Sequence, residues 1–487
     1  MTAYDEIPYT GRPYPDTHPD RLATIATLFG MKPAPIECCR VLEVACGDAA
    51  NLLPMAYGLP GSEFAGFDLA PRPIAAGRRA AEHLGLANLS LAQRDLAEFP
   101  ADAGRFDYVV AHGLYSWVPP DVRDGLLALL ARHLAPHGVA FVSYNLYPGC
   151  HLRRMVWEML KFHTDHLPDP QQRIAEAQAL ARLLADGRTA GDESSAAVRQ
   201  ELELVAGREP SALFHDDLAA INEPVYFHQF AEHAARHGLQ VLGDAELPTM
   251  GYAGLVPQMR NVLAQLDPLA REQYLDFVRC RRFRQTLLCR AEVALDRELG
   301  PEKLDAFLIG AGGPVRVKGA SAKVEELGAD EALLQALLDE VADAAPRTLA
   351  ADELAARVQA RTGGANPKAN DARFMRGLAL GAARAGAVQL HLHAPRLATD
   401  PGERPLAGAV ARMQAAAGDI VTTLWHDSVK LDDEVARSLL QLLDGTRDRA
   451  ALVAALGASL AGKDGASPAE TLEAHLKHFG KLALLVA

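Results

Sequence analysis

Val41-Leu42-Glu43-Val44-Ala45-Cys46-Gly47-Asp48-Ala49-Ala50-Asn51 is an apolar run that carries one acid, turns on small residues and enters a helical pattern. It reads as a buried strand feeding a helix through a tight turn, and such a turn lets backbone N–H groups approach a ligand closely. The unit repeats. Strands are expected at residues 40–45, 63–67, 89–93, 106–111 and 139–145, with helices at 49–58, 72–84 and 120–134 between them. Parallel strands need such helical crossovers, so residues 40–145 are expected to form an α/β sheet covered on both faces.

Acids follow at the strand ends. Asp68 lies about 20 residues past the Gly47 turn, where an acid can bind both hydroxyls of a ribose. Asp95 follows the third strand, and the fourth runs into His112-Gly113. Taken in order, these elements resemble motif I and its successors in class I methyltransferases. Only one of the three usual small positions is glycine, Ala45 and Ala49 taking the others, and this weakens a dinucleotide reading more than a methyltransferase one. The resemblance implies S-adenosylmethionine as cofactor, with Glu43 on the methionine amine. Ala45, Cys46 and Gly47 would line the turn, Asn51 and His112 would stand beside it, Asp68 and Leu69 would meet the ribose, and Asp95 and Leu96 the adenine. Each residue has an ordinary alternative: strand-end acid for Glu43, helix cap for Asp68 and Asp95, core histidine for His112.

Aromatic-polar clusters fall where the fourth and fifth strands end: Tyr115-Ser116-Trp117 and Tyr144-Asn145. Strand ends line the crevice of an open sheet, so Tyr115, Trp117, Tyr144 and Asn145 are the candidates for handling an acceptor, against core packing as the alternative. Their hydroxyl and carbonyl oxygens accept hydrogen bonds from an amine, and Trp117 offers a ring face to a cation. Tyr4, Tyr9 and Tyr14, on a proline-rich N-terminal stretch, are expected to close over the cofactor as a lid.

At 487 residues the chain exceeds one core, and a net charge of −13 opposes general attraction to phosphate backbones. No nucleic-acid partner is expected. The run Arg279-Cys280-Arg281-Arg282-Phe283-Arg284 goes against that balance. It is read within one helix over 267–298, as a solvated or salt-bridged face, with docking of an acidic segment as the other reading. Six cysteines without paired Cys-x-x-Cys spacing read as reduced thiols. No leader and no apolar stretch long enough to span a bilayer is read, which gives a cytoplasmic expectation without membrane insertion. His133/His137, His163/His166 and His391/His393 lack a third ligand, so no metal is expected.

The boundaries read as follows: an N-terminal arm and helix at 1–39, the cofactor-binding core at 40–151, a helical insertion and candidate dimerisation element at 152–222, and a regulatory region with a strand returning to the sheet at 223–300. A winged-helix-like middle domain is expected at 301–400 and a small helical domain at 401–487. The polar loop 187–195 and Gly310-Ala311-Gly312-Gly313-Pro314 are read as breaks.

Nearly the whole chain resembles the bacterial family that joins a class I methyltransferase domain to a methyltransferase regulatory domain. Tyr4-Asp5-Glu6-Ile7-Pro8-Tyr9, Thr17-His18-Pro19-Asp20-Arg21-Leu22, Gly113-Leu114-Tyr115-Ser116-Trp117-Val118, Asn222-Glu223-Pro224-Val225-Tyr226-Phe227 and Phe283-Arg284-Gln285-Thr286-Leu287-Leu288-Cys289 carry the likeness. It implies a Rossmann-like domain with a helical insertion and C-terminal α-rich accessory domains. Some members are dimeric lysine methyltransferases of outer-membrane proteins, so a protein acceptor, met before export, and a homodimer are the expectations. A small-molecule methyltransferase and a non-catalytic cofactor-binding interaction protein are the alternatives.

Overall fold

The computed structural model describes residues 3–9, 11–187, 193–311, 330–363, 366–460 and 467–487. The Gly312–Pro314 break and most of the polar loop lie outside these residues, as does the Tyr4 side chain.

Strand β1 (Arg40–Val44) pairs in parallel with β2 (Glu63–Asp68) on one side and β4 (Phe106–Ala111) on the other. β3 (Leu89–Gln93) and β5 (Leu134–Asn145) extend the parallel set, and β6 (Leu239–Asp244) and β7 (Phe283–Arg290) complete a seven-stranded sheet ordered β3-β2-β1-β4-β5-β7-β6. Strand order reverses direction at β1, and the carboxyl ends of β1 and β4 open a crevice there.

The continuous apolar character of β1 follows from burial on both faces. Val41 belongs to a core built with Leu22, Ile25 and Leu28 of helix Pro19–Leu28, which extends to the middle-domain helices Glu331–Ala344 and Ala372–Arg384. Leu42 and Val44 face a second core, filled by Leu126, Leu127 and Leu130 of helix Pro120–His133 and by Phe227 and Phe230 of helix Phe227–Arg236.

The single helix expected over 267–298 is two elements. Helix Pro268–Arg279 stops at Cys280, whose φ of 48° is left-handed, and β7 begins three residues later, antiparallel to both β5 and β6. The apolar run Thr286–Cys289 is buried on both sheet faces, which erases the alternation that marks a half-buried strand. The basic run therefore crosses a helix end and a strand start, and its charges are satisfied internally. Arg281 pairs with Asp244 at 2.7 Å, Arg282 with Glu201, and Arg279 donates to the carbonyls of Thr249 and Gly251. Arg284, 1% exposed, bonds Asp276 at 2.9 Å and Glu272 at 2.6 Å with its guanidinium over Phe227.

The insertion consists of helices Cys150–Thr164, Pro170–Asp186 and Glu193–Ala206 around their own core, which Ile7 of the N-terminal arm joins. Within 301–400 the described residues hold an antiparallel sheet of β8 (Leu308–Ala311), β9 (Leu349–Ala350) and β10 (Val388–His391) packed with helices Glu331–Ala344, Ala351–Arg361 and Ala372–Arg384. Residues 401–487, expected to be helical only, also carry a hairpin of β11 (Ile420–Thr422) and β12 (Ser428–Lys430). Three-residue strands are too short to show a period. Among the described residues no helix is long and apolar enough to cross a membrane.

Candidate functional site

The turn after β1 is held open by backbone conformation. Ala45, Gly47 and Ala49 take φ values of 58°, 54° and 59°, and a Cβ on Gly47 would meet nothing within 4 Å. Glycine takes the left-handed backbone there without the strain that Ala45 and Ala49 accept, and the side it leaves bare faces open space. Asp68, at the end of β2, accepts the Gly47 N–H at 2.9 Å and the Ala70 N–H at 2.8 Å, which locks the two strand ends together.

Glu43 is a buried acid one residue before the end of β1, 4% exposed. Its Oε1 accepts from Asn51 Nδ2 at 2.8 Å, while its Oε2 is buried with no partner. Burial pushes the carboxyl up to about 8, the Asn51 hydrogen bond opposes this, and Asp48 and Asp68 add to it. Burial also raises Asp48 and Asp68. Three carboxyl groups around one turn, one of them with an orphaned oxygen, form a site that a cation would stabilise.

Asn51 is the junction of the site. Besides Glu43, its Nδ2 meets Thr17 Oγ1 at 2.9 Å, and its Oδ1 accepts the Tyr14 N–H at 2.9 Å. The fourth partner comes from the hairpin of the C-terminal domain: His426 Nε2 lies 2.9 Å from the same Oδ1. His426 is buried at a φ of 60°, its Nδ1 is without a partner, and burial holds its pKa far below the usual range. It therefore meets Asn51 as a neutral ring donating from Nε2.

The N-terminal arm passes over the carboxyl ends of β2, β1 and β4 in turn. Asp5 meets the Arg72 N–H at 3.3 Å, Asp48 accepts from the Gly11 N–H, and the Tyr14 ring lies 3.9 Å from that of His112. Tyr9 sits edge-on against His215, whose Nε2 is 2.7 Å from the Ile7 carbonyl. Burial and Asp216 push the Tyr9 phenol up to about 12, and burial raises Tyr14. His112 is held at about 4 by burial and then by Arg12, so its ring is neutral. Ser143 Oγ accepts the Gly113 N–H at 2.8 Å and faces His112 Nδ1 at 3.1 Å.

The acceptor candidates divide. Tyr144 points to the opposite face of β5 from Ser143 and Asn145, stacks on Phe230 at 4.2 Å and shares a 2.9 Å hydrogen bond with Thr286. Tyr115 packs edge-on against Phe230, and its hydroxyl is 2.8 Å from His233 Nδ1. Both phenols belong to the second core, their hydroxyls engaged by these partners. Asn145 stays at the strand end, where its N–H donates to Ser116 and its Nδ2 to Asn222 at 3.0 Å. Trp117 is partly exposed beside it. Asp95 caps the turn that begins at Leu96, accepting the Ala97 N–H at 2.9 Å, and both it and Leu69 are exposed at the crest of the crevice.

Sequence reading missed Thr17, Arg12, Phe283 and His426. Phe283, 38% exposed, lies 6.2 Å from His112 across the strand ends. Thr17 stood in a recognisable stretch without a role, and His426 carries no local signal at all.

Residues 41–138 match a methyltransferase domain family, 209–290 a predicted methyltransferase regulatory domain, and 403–473 a family described as PKMT, C-terminal winged helix domain. The winged-helix match thus falls on the last domain, not on residues 301–400. An uncharacterised protein of Rickettsia prowazekii is 34% identical over 308 residues, 63% of this chain and 56% of that protein. A second from the same organism is 33% identical over 241 residues, 49% of this chain and 96% of its own length. The chain therefore spans little more than half of the first relative. The structure of PKMT2 from Rickettsia typhi superposes with a TM-score of 0.87 at 25% identity, covering 98% of this chain and all of that one. PKMT2 in complex with AdoHcy gives 0.86, also at 25% identity, over 99% of this chain and all of that one.

Proposed function

This chain belongs to the class I S-adenosylmethionine-dependent methyltransferases that carry a methyltransferase regulatory domain, and on that premise we propose that it methylates lysine side-chain amines of a protein. The observation that carries the cofactor half is the orphaned Glu43 oxygen among three carboxyl groups at the strand-order reversal. Full-length likeness to PKMT2, whose abbreviation denotes a protein lysine methyltransferase, supports the acceptor half.

S-adenosylmethionine supplies a methyl group made electrophilic by a positively charged sulfur. Glu43 Oε2 would hold the ammonium end, and Asn51 fixes the rotamer of that carboxyl. Asp68 has lone pairs left after its two backbone bonds and would take the ribose hydroxyls, while Asp95 would meet the adenine. Tyr14 and His112, in ring contact, wall the crevice, and Tyr9 covers it from the arm.

A lysine amine costs about 4.6 kcal/mol to deprotonate at pH 7, given a pKa near 10.4. A water-poor aromatic mouth lowers that cost by disfavouring the ammonium. Asn145, its Nδ2 engaged by Asn222, presents a carbonyl oxygen to the amine, and Trp117 offers a ring face. Positioning in line with the sulfur, at roughly 3–3.5 Å, carries most of the rate.

The insertion exposes Phe162, Leu183, Leu184 and Met155, with Phe162 at 92%, and we place a homodimer contact there. The acceptor class proposed is outer-membrane protein, modified in the cytoplasm before export. The test is incubation of the full chain with methyl-labelled cofactor and cell extract: label should enter protein bands and be recovered as methyllysine on hydrolysis. Label confined to small molecules would overturn the reading in favour of a small-molecule acceptor.

A further inference from the structure

A second cluster of ligating side chains lies where helix Phe227–Arg236 meets helix Pro120–His133. His233, on helix Phe227–Arg236, and His237, at its C-cap, are four residues apart and face Asp124 of helix Pro120–His133. Nε2 of His237 is 2.8 Å and Nε2 of His233 is 3.2 Å from the same Asp124 Oδ1. The three ligand atoms lie within 4.8 Å of one another. Ligand atoms about 2.0–2.1 Å from a tetrahedral zinc ion stand roughly 3.3 Å apart, so the observed spacings are close to the edges of such a tetrahedron.

Two further features set this cluster apart from an ordinary surface network. Tyr115, pinned between Phe230 and Tyr144, has its hydroxyl 2.8 Å from His233 Nδ1, which aims the opposite nitrogen at Asp124. An outer partner of this kind fixes ring orientation at metal sites. Asp124, its side chain 62% exposed, leaves an approach from solvent and room for water as a fourth ligand.

We propose that Asp124, His233 and His237 form a zinc site that fastens the first helix of the regulatory segment to the last helix of the cofactor-binding core. In the bound state His233 and His237 each carry their one ring proton on Nδ1, that of His233 hydrogen-bonded to the Tyr115 oxygen, and both rings are neutral. The clamp is structural and stands apart from methyl transfer.

The test strips the full chain with a chelator and titrates it with Co²⁺, whose absorption reports tetrahedral geometry and separates nitrogen and oxygen ligands from thiolate. One equivalent should bind with tetrahedral bands and no thiolate charge-transfer band, and Zn²⁺ should displace it. Asp124→Asn and His237→Ala should each lose that equivalent while melting, metal-free, as the parent does. Tyr115→Phe should weaken binding about tenfold or more. The proposal is overturned if the parent shows no tetrahedral bands, if both ligand variants bind as the parent does, or if a thiolate band assigns the metal to exposed Cys38 or Cys280.

Discussion

Glu43 is protonated through much of the neutral range before any cation arrives, because burial and two neighbouring acids lift its carboxyl to about 8. An ammonium group needs the carboxylate, so cofactor binding below pH 8 must release a proton. Affinity should therefore weaken as pH falls from 8 to 6.5, by up to about tenfold per unit. Calorimetry at pH 7 in buffers of different ionisation enthalpy should find close to one proton released, and a dissociation constant flat across that range would contradict the assignment. Glu43→Gln removes the charge and should cost about 1.5–3 kcal/mol of cofactor binding, abolishing the pH dependence as well. Tyr144 belongs to a different kind of test. Tyr144→Phe removes the Thr286 hydrogen bond and should lower stability by about 1 kcal/mol in urea unfolding with turnover retained. Lost turnover at unchanged stability would return this phenol to the acceptor site.

At the scale of elements, what could be read depended on whether burial left a period in the sequence. β1 to β5 were legible because parallel strands covered on both faces are short apolar runs with helical patterns between them. The acids at Glu43, Asp68 and Asp95 were legible for the same reason, since the strand ends place them. β7 was hidden: its apolar run abuts a helix and an arginine cluster, and the left-handed residue that separates them is a cysteine, not a glycine. That Tyr115 and Tyr144 pack into the second core was not legible, because being near a strand end does not say which face a side chain takes. The buried Arg284–Asp276 pair welds helix Pro268–Arg279 to β7, and Arg284→Met should cost about 3–5 kcal/mol in guanidinium unfolding by leaving buried Asp276 with only the longer Arg281 contact at 3.9 Å. The double variant Arg284→Met with Asp276→Leu should recover most of that loss. An equally unstable double variant would mean that packing, and not the stranded charge, sets the cost.

For the whole molecule, the decisive contact is the one between the C-terminal hairpin and Asn51. No local pattern could have revealed it, because its two halves are 375 residues apart in the chain. His426→Ala deprives the Asn51 carbonyl of one donor and should weaken cofactor binding by about 1 kcal/mol, roughly fivefold, while the Glu43 pH dependence survives. Titration calorimetry on that variant checks it, with unchanged affinity counting against any part for the last domain in the cofactor site. The same contact imposes a schedule on biosynthesis. Translation must run 375 residues beyond Asn51 before its imidazole neighbour exists, roughly 20–75 s at ordinary bacterial elongation rates. A nascent chain can thus lay down its central sheet long before it can grip the methyl donor well, and full competence arrives only with the hairpin.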